Sequence, residues 1–162
     1  MADFNSAILK TLANEGGARF TDNPSDKGGA TKYGISQRAY PKEDIKNLTE
    51  QRAREIYKTD YWDRIRGDEI KSQVIAENMF DTCVNMGTVT GGKLAQLALG
   101  IQPADGVIGG QSLTAINSVN EELFIAHYTI AKIARYAYIC NNNKDQKQFL
   151  LGWINRALGG KV

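Results

Sequence analysis

Glycines cut this sequence into helical lengths, and that punctuation limits the fold more than any other feature. Phe4, Ile8, Leu9 and Leu12 recur at helical spacing until Gly16 and Gly17 stop them. Residues 16–34 are rich in Gly, Asp, Asn, Ser and Thr; they read as a long loop closing in a short hairpin through Thr31, Lys32 and Tyr33. Loops of that length within a compact domain are usually functional. After Pro41 a helix starts near Asn47 or Thr49 and carries Ile56 and Tyr57 ahead of Tyr61 and Trp62. Val74, Ile75, Met79, Phe80, Cys83 and Val84 give residues 72–86 the broad apolar stripe of a buried helix. Gly91 and Gly92 interrupt, and further helices are predicted over 93–99 and 113–119. Asn120 followed by Glu121 and Glu122 is a good helix start. The long helix it opens runs to about Cys140, with Leu123, Phe124, His127, Ile130, Ile133, Ala134 and Ala137 on its apolar side. After a turn at Asn141, Asn142 and Asn143, a last helix spans 149–158. No strand of any length is predicted, so the fold class is all-α with one small β-hairpin.

Composition removes several functions. A chain of 162 residues buries roughly 70% of its unfolded surface and needs no cross-links to hold a core. Its 20 basic and 18 acidic residues leave a net charge of +2, too little to argue for nucleic acid. Cys83 and Cys140 are expected to be reduced core thiols, and His127 a satisfied core histidine. No metal and no cofactor is expected. No stretch is apolar for long enough to insert in a membrane, and residues 1–12 lack the pattern of a signal peptide.

Three lookalikes fail on their chemistry. The segment from Gly87 to Lys93 matches a phosphate-binding loop, but Leu94 stands where Ser or Thr would hold magnesium and a helix precedes it instead of a strand. A helix–helix turn explains its glycines. Asp22 and Asp26 suggest a calcium loop, yet Pro24 and Lys27 occupy the positions of a ligand and the required glycine. Asn47-Leu48-Thr49 is a glycosylation sequon only in a chain that enters a secretory pathway.

Glu15 remains. A carboxylate at the C-terminal end of a helix meets the negative end of the helix dipole, which favours its protonated form. Gly16 and Gly17 leave the space before it free of side chains, and the loop carries Asp22, Asp26 and Thr31 back toward it. An acid of this kind, partnered by a second carboxylate or a positioned water, is equipment for cleaving a glycosidic bond. The plain alternative is a surface carboxylate at an ordinary helix stop.

These residues resemble a known pattern. Glu15-Gly16-Gly17, Phe20, Pro24-Ser25-Asp26, Gly28-Gly29-Ala30-Thr31 and Gly34-Ile35 are similar to the motif series of glycoside hydrolase family 108. That family comprises phage endolysin-like N-acetylmuramidases and secretion activator proteins. Ile56-Tyr57, Tyr61-Trp62-Asp63 and the stretch from Phe80 to Gly87 look like the rest of its catalytic region. Leu94-Ala95-Gln96, Asp105 to Gly109, Leu113 to Ile116 and Gly152 to Arg156 resemble the peptidoglycan-binding module that usually follows. The resemblance divides the chain into a lysozyme-like catalytic region, 1–90, and a helical peptidoglycan-binding region, 91–162, packed as one body. Two departures stand out. Ala18-Arg19 lengthens the loop between Glu15 and Asp26, and Gly110 and Ser112 replace a usual proline and threonine, with an effect expected only on a turn.

The resemblance implies that Glu15 protonates the oxygen between N-acetylmuramic acid and N-acetylglucosamine. By analogy with phage-type lysozymes, Asp26 and Thr31 hold or activate the attacking water, with Asp22 in reserve. Phe20, Tyr33, Tyr61 and Trp62 are candidate platforms for the apolar faces of sugar rings, and Asn85 for an acetamido group. For each aromatic a place in the core is the competing expectation. Phe149 and Trp153 are expected in the core of the last helix pair. The implied partner is bacterial peptidoglycan, met by a monomer held in the cytoplasm until a holin releases it to the periplasmic face of the wall. A lytic transglycosylase with the same acid, and a non-catalytic wall-binding or secretion-accessory protein, are the alternatives.

Overall fold

The computed structural model describes residues 1–14, 17–22 and 29–159. Seven α-helices and one two-stranded hairpin are found among them: α1 (Phe4–Asn14), β1 (Thr31–Lys32), β2 (Ile35–Ser36), α2 (Glu50–Tyr57), α3 (Gln73–Met86), α4 (Thr88–Ala98), α5 (Gly110–Ile116), α6 (Glu121–Asn142) and α7 (Leu150–Ala157). Side-chain caps fix three of the helix starts. The Thr49 hydroxyl accepts the Arg52 N–H, Ser72 accepts that of Ile75, and the Asn120 amide oxygen accepts that of Leu123.

α3 runs through the core, with α1, α4 and α6 packed around it. Phe4, Trp62 and Phe80 meet edge to face at 5.6–6.0 Å between centroids, an arrangement that adds to the gain from burying the rings. α2 continues through a π turn (Lys58–Trp62) and two short 3-10 turns that send Trp62 inward. Its indole N–H donates to Asp68 at 2.7 Å, and its ring lies against Gly67, where an added methyl would come within 2.2 Å.

Two expectations about helices are corrected. Gly91 and Gly92 do not interrupt a helix; they lie inside α4, and only Gly87, at φ +84°, makes the turn from α3. Their role is close approach. A methyl on Gly91 would fall 2.5 Å from Cys83 Sγ, and one on Gly92 would fall 2.2 Å from the Gly106 carbonyl oxygen. The loop at Gly106 is held there by buried Gln96. Its amide donates to Asp105, the Val107 carbonyl and the Ser112 hydroxyl, and its oxygen accepts the Gly106 N–H at 2.7 Å. Ser112 is therefore a buried acceptor within α5. On α6 the buried stripe is Phe124, Tyr128, Lys132, Tyr136 and Cys140, while Leu123 and Ile130 are exposed. His127 is exposed too, and its Nδ1 lies 3.3 Å from the Ala98 carbonyl oxygen.

No helix among the described residues is long and apolar enough to cross a membrane. The glycine contacts predict opposite outcomes for one substitution at two helical positions. Gly92→Ala forces α4 off the Gly106 carbonyl and lowers stability by about 1–3 kcal/mol. Gly152→Ala in α7 meets nothing within 4 Å and raises stability by about 0.5–1 kcal/mol. Denaturant unfolding of the two variants checks both signs.

Candidate active site

Three hydrogen bonds tie the end of α1 to the hairpin and the hairpin to α2. Gly17 N–H returns to the Leu12 carbonyl at 2.9 Å, with Gly17 in the left-handed conformation common at helix ends. Gly17 in turn accepts the Tyr33 N–H at 3.1 Å, and the Tyr33 carbonyl accepts the Tyr57 hydroxyl at 2.9 Å. Tyr33 and Gly34 have φ of +54° and +74°, the two positive values of a tight hairpin turn. A tyrosine in that conformation is strained, and it persists where surrounding bonds over-determine it. Here both its backbone groups are held by partners distant in sequence.

Thr31 is the junction of the small sheet. It exchanges backbone hydrogen bonds with Thr21 at 2.8 and 2.9 Å and pairs with Ser36, while its hydroxyl donates to the Gly29 carbonyl at 3.3 Å. Thr31 is half-buried beside this edge, and Asp22 and Phe20 are exposed. Glu15 and Asp26 lie outside the described residues.

The aromatic platforms divide. Phe20, 39% exposed, has a face available to a ligand. Tyr61 is half-buried and leans on Tyr57, with centroids 5.7 Å apart. Tyr33 and Trp62 are corrections: both are buried, Trp62 completely, so neither offers a face to a sugar. Nearby, the Tyr40 hydroxyl donates to Asp60 at 2.8 Å; burial, with that bond in support, raises its pKa far above the ordinary phenol value. Asn85 is exposed on α3, and its amide donates to the Asp81 carbonyl at 2.7 Å. A hollow of about 270 Å³ beside it is lined by Arg135, Tyr136, Trp153 and Arg156. Tyr136, Trp153 and Phe149 form a stacked series over that side. Phe149 is 48% exposed, so the series is a partly open face and not the expected core.

One feature was not predicted as part of any site. Asp81 on α3 receives Arg156 of α7, Nη2 to Oδ1 at 2.9 Å, across 75 residues of sequence. The pair lines a cavity of about 560 Å³ between α1, α3, α6 and α7, together with Thr11, Asn78 and Lys132. Lys10 and Glu77 close one side as an ion pair. Among the described residues, no group of three His, Cys, Asp or Glu side chains is placed to hold a metal ion.

A helical, lysozyme-like body with a hairpin tied to the end of its first helix is the class that this architecture defines. Residues 8–87 match the family model of glycosyl hydrolase 108, and residues 91–158 match that of a predicted peptidoglycan domain. Residues 8–87 thus form a glycosyl hydrolase 108 region, and a predicted peptidoglycan domain follows it over 91–158. Among solved structures it is similar to SagA of Brucella abortus, at 27% identity and a TM-score of 0.71, over 96% of this chain and 94% of that one. Comparison with curated proteins gives no match.

The bonds around Tyr33 predict a specific cost. Tyr57→Phe removes the hydroxyl that serves a buried carbonyl, and stability falls by about 1–3 kcal/mol. Denaturant unfolding measures it, and an unchanged midpoint would show that the Tyr33 carbonyl needs no such partner.

Proposed function

We propose that the protein is an N-acetylmuramidase that hydrolyses the β-1,4 bond between N-acetylmuramic acid and N-acetylglucosamine in peptidoglycan. The observation that carries this reading is the family match over residues 8–87, which contains the whole motif series from Glu15 to Ile35. The peptidoglycan domain over 91–158 supports the wall polymer as the partner. The closure of α1 onto the hairpin supports a site built where that motif begins and ends.

In this mechanism Glu15, protonated, gives its hydrogen to the bridging oxygen as the bond to the muramic acid anomeric carbon breaks. A water attacks that carbon and gives its proton to Asp26, with Thr31 helping to hold it. Phe20 and Tyr61 support sugar faces, and Asn85 serves an acetamido group. Residues 1–90 perform the chemistry and 91–162 hold the wall. The protein acts as a monomer, waiting in the cytoplasm until a holin opens its path to the wall.

General acid catalysis typically contributes 10²–10⁴-fold. Glu15→Gln is therefore expected to lower the rate of wall clearing by about 10³-fold while sedimentation with purified wall is unchanged. If the variant clears wall at the native rate, Glu15 is not the acid.

A further inference from the structure

The buried stripe of α6 has a residue every fourth position, and a lysine sits at its centre. Lys132 is 5% exposed, between Tyr128 and Tyr136. Its ammonium has three hydrogens to place, but among the described residues its hydrogen bonding amounts to one contact, 3.5 Å from the Ala157 carbonyl oxygen. The Tyr128 ring lies 5.3 Å away and supplies a weaker cation–π attraction. A buried charge is costly unless it is paired and hydrogen-bonded. Burial draws the Lys132 pKa below its ordinary value, and the charge of Asp81 works against that fall.

The other charges of the cavity wall are matched. Lys10 pairs with Glu77, and Arg156 pairs with Asp81. Among the described residues this leaves Lys132 as the cation of the wall without a carboxylate in ion-pair contact. The cavity of about 560 Å³ is large enough for a peptide fragment. Thr11, Asn78 and Asp81 reach it from the region matched to the glycosyl hydrolase model, Lys132 and Arg156 from the region matched to the peptidoglycan model.

We infer that this cavity is a carboxylate-binding subsite for the stem peptide of peptidoglycan, with the Lys132 ammonium donating to the carboxylate. The assignment of the ligand rests on the wall polymer being the substrate. The stem peptide ends in carboxylates, whereas the acetamido and hydroxyl groups of the sugars have no charge to offer Lys132. Occupation of the cavity ties the peptide of a glycan strand to the junction of α1, α3, α6 and α7.

Calorimetric titration of the full chain with muramoyl dipeptide ending in free D-glutamate, and with its fully amidated counterpart, tests this. The native protein is expected to bind the acid at least about tenfold more tightly than the amide, a difference near 1.4 kcal/mol. Lys132→Met, which keeps the length of the stem without the charge, loses that preference, and Lys132→Arg keeps it. Equal binding of acid and amide by the native protein, or a preference that survives in Lys132→Met, overturns the inference. If Lys132→Met does not fold, the Lys132 Cε resonance of the native protein decides: it moves with the acid and not with the amide, and the reverse refutes the site. The probe contains no bond between two sugars. Acid preference without wall clearing would refute hydrolysis alone, and clearing without acid preference would refute this subsite alone.

Discussion

The backbone of Tyr33 holds the candidate site together. Its N–H serves the carbonyl of Gly17 and its carbonyl takes the hydroxyl of Tyr57, so one residue joins the end of α1, the hairpin turn and α2. An unpaired backbone group in the interior costs free energy, and this makes the arrangement selective: moving any of the three elements orphans a donor or an acceptor. The left-handed conformation of a bulky tyrosine is compatible with that geometry and with few others. Residues Gly17 and Thr31, at opposite ends of the motif loop, are thereby fixed in relation to each other.

Close approach is the second constraint. α4 lies against Cys83 on one side and the Gly106 loop on the other, at distances that exclude even a methyl group. Gln96 replaces the side-chain packing that glycine cannot give with four hydrogen bonds to the same loop and its surroundings. The glycines resembling a phosphate-binding loop are thus explained by helix packing, with no nucleotide needed. The buried Cys83 thiol, its pKa pushed up to about 12 by desolvation, behaves as a small core side chain.

What could be read in the sequence was local. Thr49, Ser72 and Asn120 announce helix starts because a cap is a bond to a backbone only three residues away. The hairpin was legible from its turn, and the all-helical class from the spacing of apolar residues. Tertiary facts were less accessible. The buried face of α6 is aromatic and carries a lysine, so counting aliphatic residues selected the wrong side, with Leu123 and Ile130 exposed. The π turn after α2 rotates Trp62 into the core, which the Tyr61-Trp62 pair could not reveal. Asp81 and Arg156 are 75 residues apart, and neither carries a local signal of the other. Gly152 to Arg156 did stand out as a motif, but nothing in its spacing gave Arg156 a partner.

The chain thus joins a glycosyl hydrolase region to a peptidoglycan region through a helical body whose charged cavity draws on both. The proposed hydrolysis of the glycan strand leaves the oxygen of the attacking water on the anomeric carbon of the product, where an isotope label follows it. Purified wall digested in ¹⁸O-enriched water is predicted to yield fragments with a reducing N-acetylmuramic acid end carrying one heavy oxygen. Unlabelled fragments ending in anhydro-muramic acid, lighter by one water, would show internal attack by the sugar and contradict the claim.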